Sequence, residues 1–336
     1  MRRDPGRQGR GGVRARFQRL LRRLTPPTSR GALVLLYHRA ALVDPDPWRL
    51  AVRPVHLEEH LAIIARHARP TTVASLLDAM NEGEIPERTV VVTFDDGYGD
   101  LATAVRPRLD RDGVPATMFL VSRAIGRDRE FWWDALARAL LGPTVPPGSL
   151  HLTIGGVPRA WDIAEAPSRA DAHRDVWAAL RACAPVERDR LAEEVLSWAG
   201  LPSVARPSHR TLTGEELTAL ATDGLVEIGT HTANHPWLAG LTPAGQAQEV
   251  LDGRSELEDR IGRRVATFAY PHGGRDDIGG SADAVRAASL TTAFLAVPGL
   301  VRPRTDRFAL PRLFVDDVDG EGFARLLWRH AGINAT

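Results

Sequence analysis

No lysine occurs in the 336 residues; all 43 basic residues are arginine. That excludes Schiff-base chemistry, which needs an amine, and a phosphate-binding P-loop, which needs its lysine. The single cysteine, Cys183, excludes an intramolecular disulfide framework and a cysteine-based zinc ribbon. Any metal must therefore be held by His, Asp or Glu. No stretch reaches the roughly 18 uninterrupted apolar residues of a membrane span. With 43% hydrophobic and 25% charged residues, the composition is that of a globular protein, and wholesale disorder and collagen-like repeats are excluded. At about 150 residues per domain, the length fits two domains or one large α/β barrel.

The net charge of +1 is unevenly placed. Residues 1–24 hold nine arginines and one aspartate, so a basic end of +8 precedes a mildly acidic remainder. Residues 1–30 read as a basic, disordered tail without the apolar core of a secretory signal. That predicts a cytoplasmic protein, with the inner membrane face as a further site. Val13–Leu24, with Phe17, Leu20, Leu21 and Leu24, suits a short basic amphipathic helix able to touch anionic lipid. A solvated tail is the simpler reading. With basic charge confined to one end, nothing favours nucleic-acid binding.

Hydrophobic periodicity predicts strands over Gly31–Tyr37, Thr89–Phe94, Ala116–Val121, Leu225–Thr230, Val265–Tyr270, Thr291–Val297 and Phe308–Val315. It predicts helices over Val55–Arg66, Val73–Met80, Leu101–Arg111, Glu215–Thr222, Thr242–Ile261, Ala282–Ala288 and Gly322–His330. Alternation of doubly buried strands with helices implies an α/β protein built on a parallel sheet or barrel. From about 122 to 210 the rhythm breaks. That stretch is rich in Pro, Arg and Ala and carries five of the eight tryptophans. It reads as a mostly helical insertion (122–210) between the first (31–121) and second (211–336) parts of the barrel.

Four polar clusters stand at predicted strand ends. Asp95-Asp96-Gly97 follows the most apolar strand; adjacent buried carboxylates are costly unless they hold a metal or move a proton. A helix N-cap is the alternative. His231 and His235, four apart, can share one metal on a single helical turn. His56 and His60 have the same spacing on an amphipathic surface helix and read as solvated or partly packed. Phe268-Ala-Tyr-Pro-His-Gly273 and Tyr37-His38 complete the set. Active sites of α/β barrels lie at such strand ends, and convergence of all four on one barrel mouth is the basis for expecting a site.

Thr93-Phe-Asp-Asp-Gly97, His231-Thr-Ala-Asn-His235 and Phe268–Gly273, in that order, resemble the first three motifs of the NodB-type polysaccharide deacetylases, carbohydrate esterase family four. The likeness spans roughly Ala32 to Trp328. It implies a distorted (β/α) barrel of the polysaccharide deacetylase type, with a mostly helical insertion. It also implies removal of N-acetyl groups, usually from amino-sugar polymers, with a divalent metal. A lipid-linked glycan is the further candidate for a chain without a secretory signal, and a donor set of two histidines and one aspartate suits zinc foremost, with nickel, cobalt or iron as alternatives. Carried over by position, Asp96, His231 and His235 would be metal ligands and Asp95 the general base. The backbone N–H of His272, within Tyr270-Pro271-His272, would bind the oxyanion. The family's usual late acid has only His330 as a counterpart, on a terminal helix; His38, matching an N-terminal Tyr-His strand of permuted relatives, is preferred as the acid.

Two positions depart from the pattern. Val265 stands where the family carries an Arg that pins the catalytic Asp. Arg264 is one residue off and would point to the other face of a strand, so Arg312 is the expected substitute, with a surface salt bridge as its alternative. His272 stands where Tyr or Trp is usual. Trp237 is expected to line the cleft. Trp132 and Trp133 are the best sugar-stacking candidates in the insertion, although core packing is the simpler role for its tryptophans. The rival functions are a weak or inactive glycan-binding barrel and a hydrolase of another non-peptide C–N bond.

Overall fold

The computed structural model describes residues 31–330 other than 145, 147 and 223. The expected basic tail, with the amphipathic helix considered within it, lies outside the described residues. Seven parallel strands form the frame: β1 (Leu33–Tyr37), β2 (Thr89–Asp96), β3 (Ala116–Leu120), β6 (Val226–Thr230), β7 (Thr267–Ala269), β8 (Thr292–Phe294) and β9 (Leu313–Phe314). They lie in the order β8-β7-β6-β3-β2-β1-β9, every pairing parallel. The two edges meet through residues 310–315. Leu310 bridges Phe294, while Leu313 and Phe314 pair with Leu35 and Leu36 of β1. This is the distorted (β/α) barrel expected from the sequence.

Alternation along β2 explains why its TVVVTFDD sequence is buried throughout. Val90, Val92 and Phe94 pack outward with Leu35, Met118 and Ile228 beneath the helices. Val91 points the other way, among Val34, Phe119 and Phe294. The interior row continues through Thr93 to Asp95, since side chains two apart share a face. The strand therefore carries apolar residues into the barrel and a carboxylate to its mouth.

Around the frame run α1 (Pro54–His67), α2 (Val73–Glu82), α3 (Arg106–Asp112), α7 (Gly214–Ala221), α8 (Pro243–Ile261), α9 (Ser281–Ala287) and α10 (Gly320–His330). The helix predicted from Leu101 opens instead with a π-helical turn, Leu101–Val105. The strand predicted over Phe308–Val315 is regular only at Leu313–Phe314, because Pro311 lacks the N–H a ladder needs.

The insertion holds α4 (Trp132–Leu141), α5 (Ala166–Arg181) and α6 (Pro185–Trp198) around its own apolar cluster. It is mostly helical, as expected, but also contains an antiparallel hairpin, β4 (Ser149–Ile154) and β5 (Val157–Asp162). Its signal was present in the strict alternation that buries Leu150, Leu152 and Ile154, followed by Gly155-Gly156. Both glycines adopt positive φ, 57° and 79°, as a tight two-residue hairpin turn demands.

Candidate active site

The four sequence clusters converge on one cavity of about 310 Å³ at the barrel mouth, lined by His38, Asp95, Asp96, His231, His235, Tyr270, His272 and Arg312 among others. Asp95 and Asp96 are both buried, at the end of β2 and not at a helix cap. Asp95 faces the interior beside Thr93. Asp96 swings aside through a positive φ of 75°, and Gly97 follows at φ 103°, where a side chain would press on Leu120. Adjacent carboxylates thus leave one strand in different directions.

Arg312 fixes the first of them. Its guanidinium is fully buried and donates from Nη1 and Nη2 to the two Asp95 oxygens, at 2.7 Å each. Nη1 also donates to Thr93 Oγ1 at 3.2 Å and Nε to the Leu295 carbonyl at 3.1 Å. This bidentate fork overturns the surface-salt-bridge alternative. Val265 is buried in the outer core, and Arg264 is turned to the Ser289 carbonyl. Burial alone would raise the Asp95 pKa, but Arg312, His231 and the bidentate hydrogen bonds together hold it below the usual carboxylate value. The Asp96 carboxyl goes the other way: burial, then the neighbouring charges of Asp95 and Asp134, push it well above that value.

His231 and His235 do not sit on a helical turn. They lie in a loop after β6 in which Thr232 and His235 both take positive φ, 69° and 54°. Asp96 and His272 (φ 62°) add two more, so four of the seven non-glycine residues with positive φ among the described residues are gathered here. Each such residue costs about 1–3 kcal/mol and persists only where its surroundings enforce it. The enforcement is visible. Arg188, buried on α6, donates to the carbonyls of His235 at 2.9 Å and Asn234 at 2.8 Å. Glu249 on α8 accepts from the Asn234 backbone and side chain. Gly253 lets α8 approach so closely that a Cβ there would stand 2.4 Å from the Thr232 carbonyl carbon.

The donor set suits a divalent cation. Asp96 Oδ1 lies 3.7 Å from His231 Nε2 and 3.6 Å from His235 Nε2, and the three ligand atoms all fall within 4.8 Å of one another. Two donors about 2.1 Å from a tetrahedral ion stand about 3.4 Å apart. His231 Nδ1 meets the Ala269 carbonyl at 2.8 Å, which assigns the proton to Nδ1 and leaves the Nε2 lone pair facing Asp96. Burial lowers the pKa of both histidines, which favours the neutral form that ligates. A buried carboxylate that resists ionisation beside two neutral imidazoles lacks a counter-charge, and a cation would supply it.

His38 lines the cavity and makes no side-chain hydrogen bond among the described residues; its Nδ1 is buried without a partner. Burial pushes its pKa down to about 4, below the ordinary imidazole value of about 6.5. His272 is likewise lowered, to about 3, by burial and then by Arg181. Its backbone N–H has no acceptor among the described residues. The Tyr270 hydroxyl donates to the Phe308 carbonyl, and Pro271 is buried beside it. His330 is outside the cavity lining.

Trp237 is a further correction. It lies outside the lining, with the Arg181 guanidinium 5.0 Å from its ring centre. Trp132 is packed in the insertion core. Trp133 reaches the cavity while donating to the Tyr98 hydroxyl at 2.8 Å. The aromatic wall is completed by Trp48 and Trp177, which were not anticipated. Trp48 was not assigned to the cleft, and Trp177 at helical spacing looks like core. Arg188 was missed too, since nothing in the sequence links α6 to the 231–235 loop.

The polysaccharide deacetylase family model matches residues 82–144 and 195–291, so the chain is similar to that family on both sides of the insertion. Between the matched blocks lies most of the insertion. Similar solved structures include the Streptococcus pyogenes deacetylase PplD in complex with acetate, 15% identical over 89% of this chain and 99% of that one, TM-score 0.57. IcaB from Ammonifex degensii is 17% identical over 92% and 100%, TM-score 0.58. A de-N-acetylase from Aggregatibacter actinomycetemcomitans is 17% identical over 88% and 99%, TM-score 0.53. At such identities the likeness is one of fold. No curated protein matches the chain. No described helix is long and apolar enough to cross a membrane.

Proposed function

We propose that the chain is a divalent-cation-dependent hydrolase that removes N-acetyl groups from an amino sugar, in a polymer or on a lipid-linked glycan. One observation carries this reading: Asp95, locked by Arg312, stands beside Asp96, His231 and His235 on one cavity wall. Those last three residues would hold the cation, zinc first by donor type, with nickel, cobalt or iron accommodated. When bound, such an ion lowers the pKa of water and polarises a carbonyl oxygen.

The chain's own residues account for the rest. Asp95 stays ionised because Arg312 opposes the effect of burial, so it can take the proton of the attacking water. Arg312 also prevents the carboxylate from rotating away. The His272 N–H donates to the oxygen that becomes negative as the acetyl carbon turns tetrahedral. His38 is neutral in the resting pocket. As negative charge grows on the substrate, His38 takes up a proton from solvent and gives it to the departing amine as the C–N bond breaks, and the proton held by Asp95 returns to solvent, so that one water is added overall.

Acetate release from N-acetylglucosamine oligomers, measured before and after chelation and again after zinc is restored, tests the proposal. Loss and recovery of turnover are expected. Turnover indifferent to chelation would contradict it. Cation binding without acetate release would favour a glycan-binding barrel, or a hydrolase of another C–N bond that a substrate panel would reveal. Arg312, in place of the family's usual Arg, supports the enzyme over the binding barrel, because a binding role needs no pinned base.

A further inference from the structure

We infer that this pocket takes a single N-acetylated sugar, at the end of a glycan or on a carrier, and not an internal residue of a polymer. The inference rests on the deacetylase reading and adds the size and position of the sugar. A polymer attacked internally must enter and leave the site on either side of the reacting ring, so it needs a groove open at both ends. The cavity here, about 310 Å³, is at the bottom of the about 300–1,000 Å³ typical of small-molecule sites. That is room for one pyranose with its acetamido group.

A continuous wall closes one side. It starts at Trp48, in the loop after β1, whose ring centre is 4.5 Å from that of Trp177 on α5. Trp177 meets His272 edge-to-face at 5.8 Å. One turn on, Arg181 lies over Trp177, 5.5 Å from the ring centre, and forms an ion pair with Asp277 in the loop after β7. All five residues line the cavity. The wall therefore runs from one barrel loop, across the insertion, to the opposite barrel loop, directly beside the proposed metal ligands. Its flat indole rings suit the C–H face of one pyranose. Trp177 and Arg181 both fall between the two blocks matched by the family model. The restriction thus depends on two insertion residues that bridge the barrel loops carrying Trp48, His272 and Asp277.

The test uses the full chain loaded with zinc. Its substrates are the methyl glycosides of the gluco, galacto and manno N-acetylhexosamines, and an N-acetylglucosamine pentamer labelled at its reducing end. Mass spectrometry reads the position of each lost acetyl group. Quenching of tryptophan fluorescence reads binding to the Asp95→Asn variant. At least one methyl glycoside should be processed with kcat/KM within about tenfold of the pentamer, since residues outside the pocket add little binding. The pentamer should lose its acetyl group at one terminal residue only. Trp177→Ala, and separately Arg181→Ala, which spares the insertion core, should extend deacetylation to internal residues. Internal deacetylation by the unaltered chain, with the methyl glycosides inert, would overturn the inference and leave the deacetylase reading intact. Saturable binding of a methyl glycoside without acetate release from any substrate would do the reverse. Neither binding nor release would overturn both.

Discussion

His56 and His60 on α1 have the same four-residue spacing as His231 and His235 after β6, yet their surroundings make them chemically unlike. His60 is fully buried, not merely partly packed. Its Nε2 donates to the Val318 carbonyl at 2.8 Å, and its Nδ1 then accepts from the Tyr37 hydroxyl at 3.3 Å. Its ring stacks on Phe323 of α10, centres 4.0 Å apart. Both nitrogens are in use. His56 pairs with Asp317 at 2.7 Å. His231 instead spends one nitrogen on a carbonyl and points the other, with His235, at a buried carboxylate. Spacing alone does not create a ligand pair; the second nitrogen's partner and a neighbouring unpaired carboxylate do.

The comparison can be sharpened by removing what distinguishes the second pair. The largest effect should come from Asp95→Asn, where turnover falls about 10²–10⁴-fold while calorimetry finds the same zinc stoichiometry. A carboxamide still accepts from Arg312 but cannot take a proton. Near-normal turnover would remove Asp95 as the base.

Next is His38→Ala. Amide hydrolysis should fall about 10²-fold, the lower end of the range for acid–base groups. An activated acetate ester, whose leaving group needs no proton, should be hydrolysed nearly as before. His330→Ala should change neither. Equal losses on amide and ester would make His38 a structural residue.

Arg188→Met probes the clamp on the 231–235 loop. The fold should survive, since methionine fills much of the same space, but zinc affinity should fall about 10–100-fold, as when outer partners of metal ligands are lost. Unaltered affinity would mean that Glu249 and the Gly253 contact suffice.

The smallest effect on function should come from His60→Phe. It removes two buried hydrogen bonds and should lower stability by about 1–3 kcal/mol without altering zinc affinity. Acid should act on the same group. Burial, as the largest cause, lowers His60 to about 4. A histidine whose folded pKa lies below its unfolded value of about 6.5 contributes fully at neutral pH and loses that contribution as pH falls from about 6.5 to about 4. His173 and His209 are lowered in the same way, so thermal denaturation should show Tm declining across that window. His60→Phe should decline less steeply; an identical slope would mean that His60 does not contribute.

Much of this was legible in one sequence. The barrel strands announced themselves through β-branched runs buried on both faces, and the site through polar clusters at their ends. Arg312 was found by elimination, because a row of alternating side chains can be offset by one only at the cost of changing faces. What escaped depended on contacts between distant segments. The positive-φ loop carrying His231 and His235 looks like a helical turn until Gly253 and Arg188 are seen pressing on it. Trp237 stands two residues from a ligand and still misses the cavity, while Trp177, on an insertion helix with no motif, helps to wall it. The His38 pKa also required depth, since no sequence pattern states how far a strand end lies from water.

The central claim is that Asp96, His231 and His235 form one cation site and that His56 and His60 form none. Anomalous scattering from zinc-soaked crystals, collected on either side of the zinc absorption edge, tests it most directly. One peak should appear, about 2.0–2.2 Å from Asp96 Oδ1 and the two Nε2 atoms, and His235→Ala should weaken or abolish it while His60→Phe leaves it unchanged. A peak at His56 and His60, or an unoccupied Asp96 cluster at saturating zinc, would contradict the account.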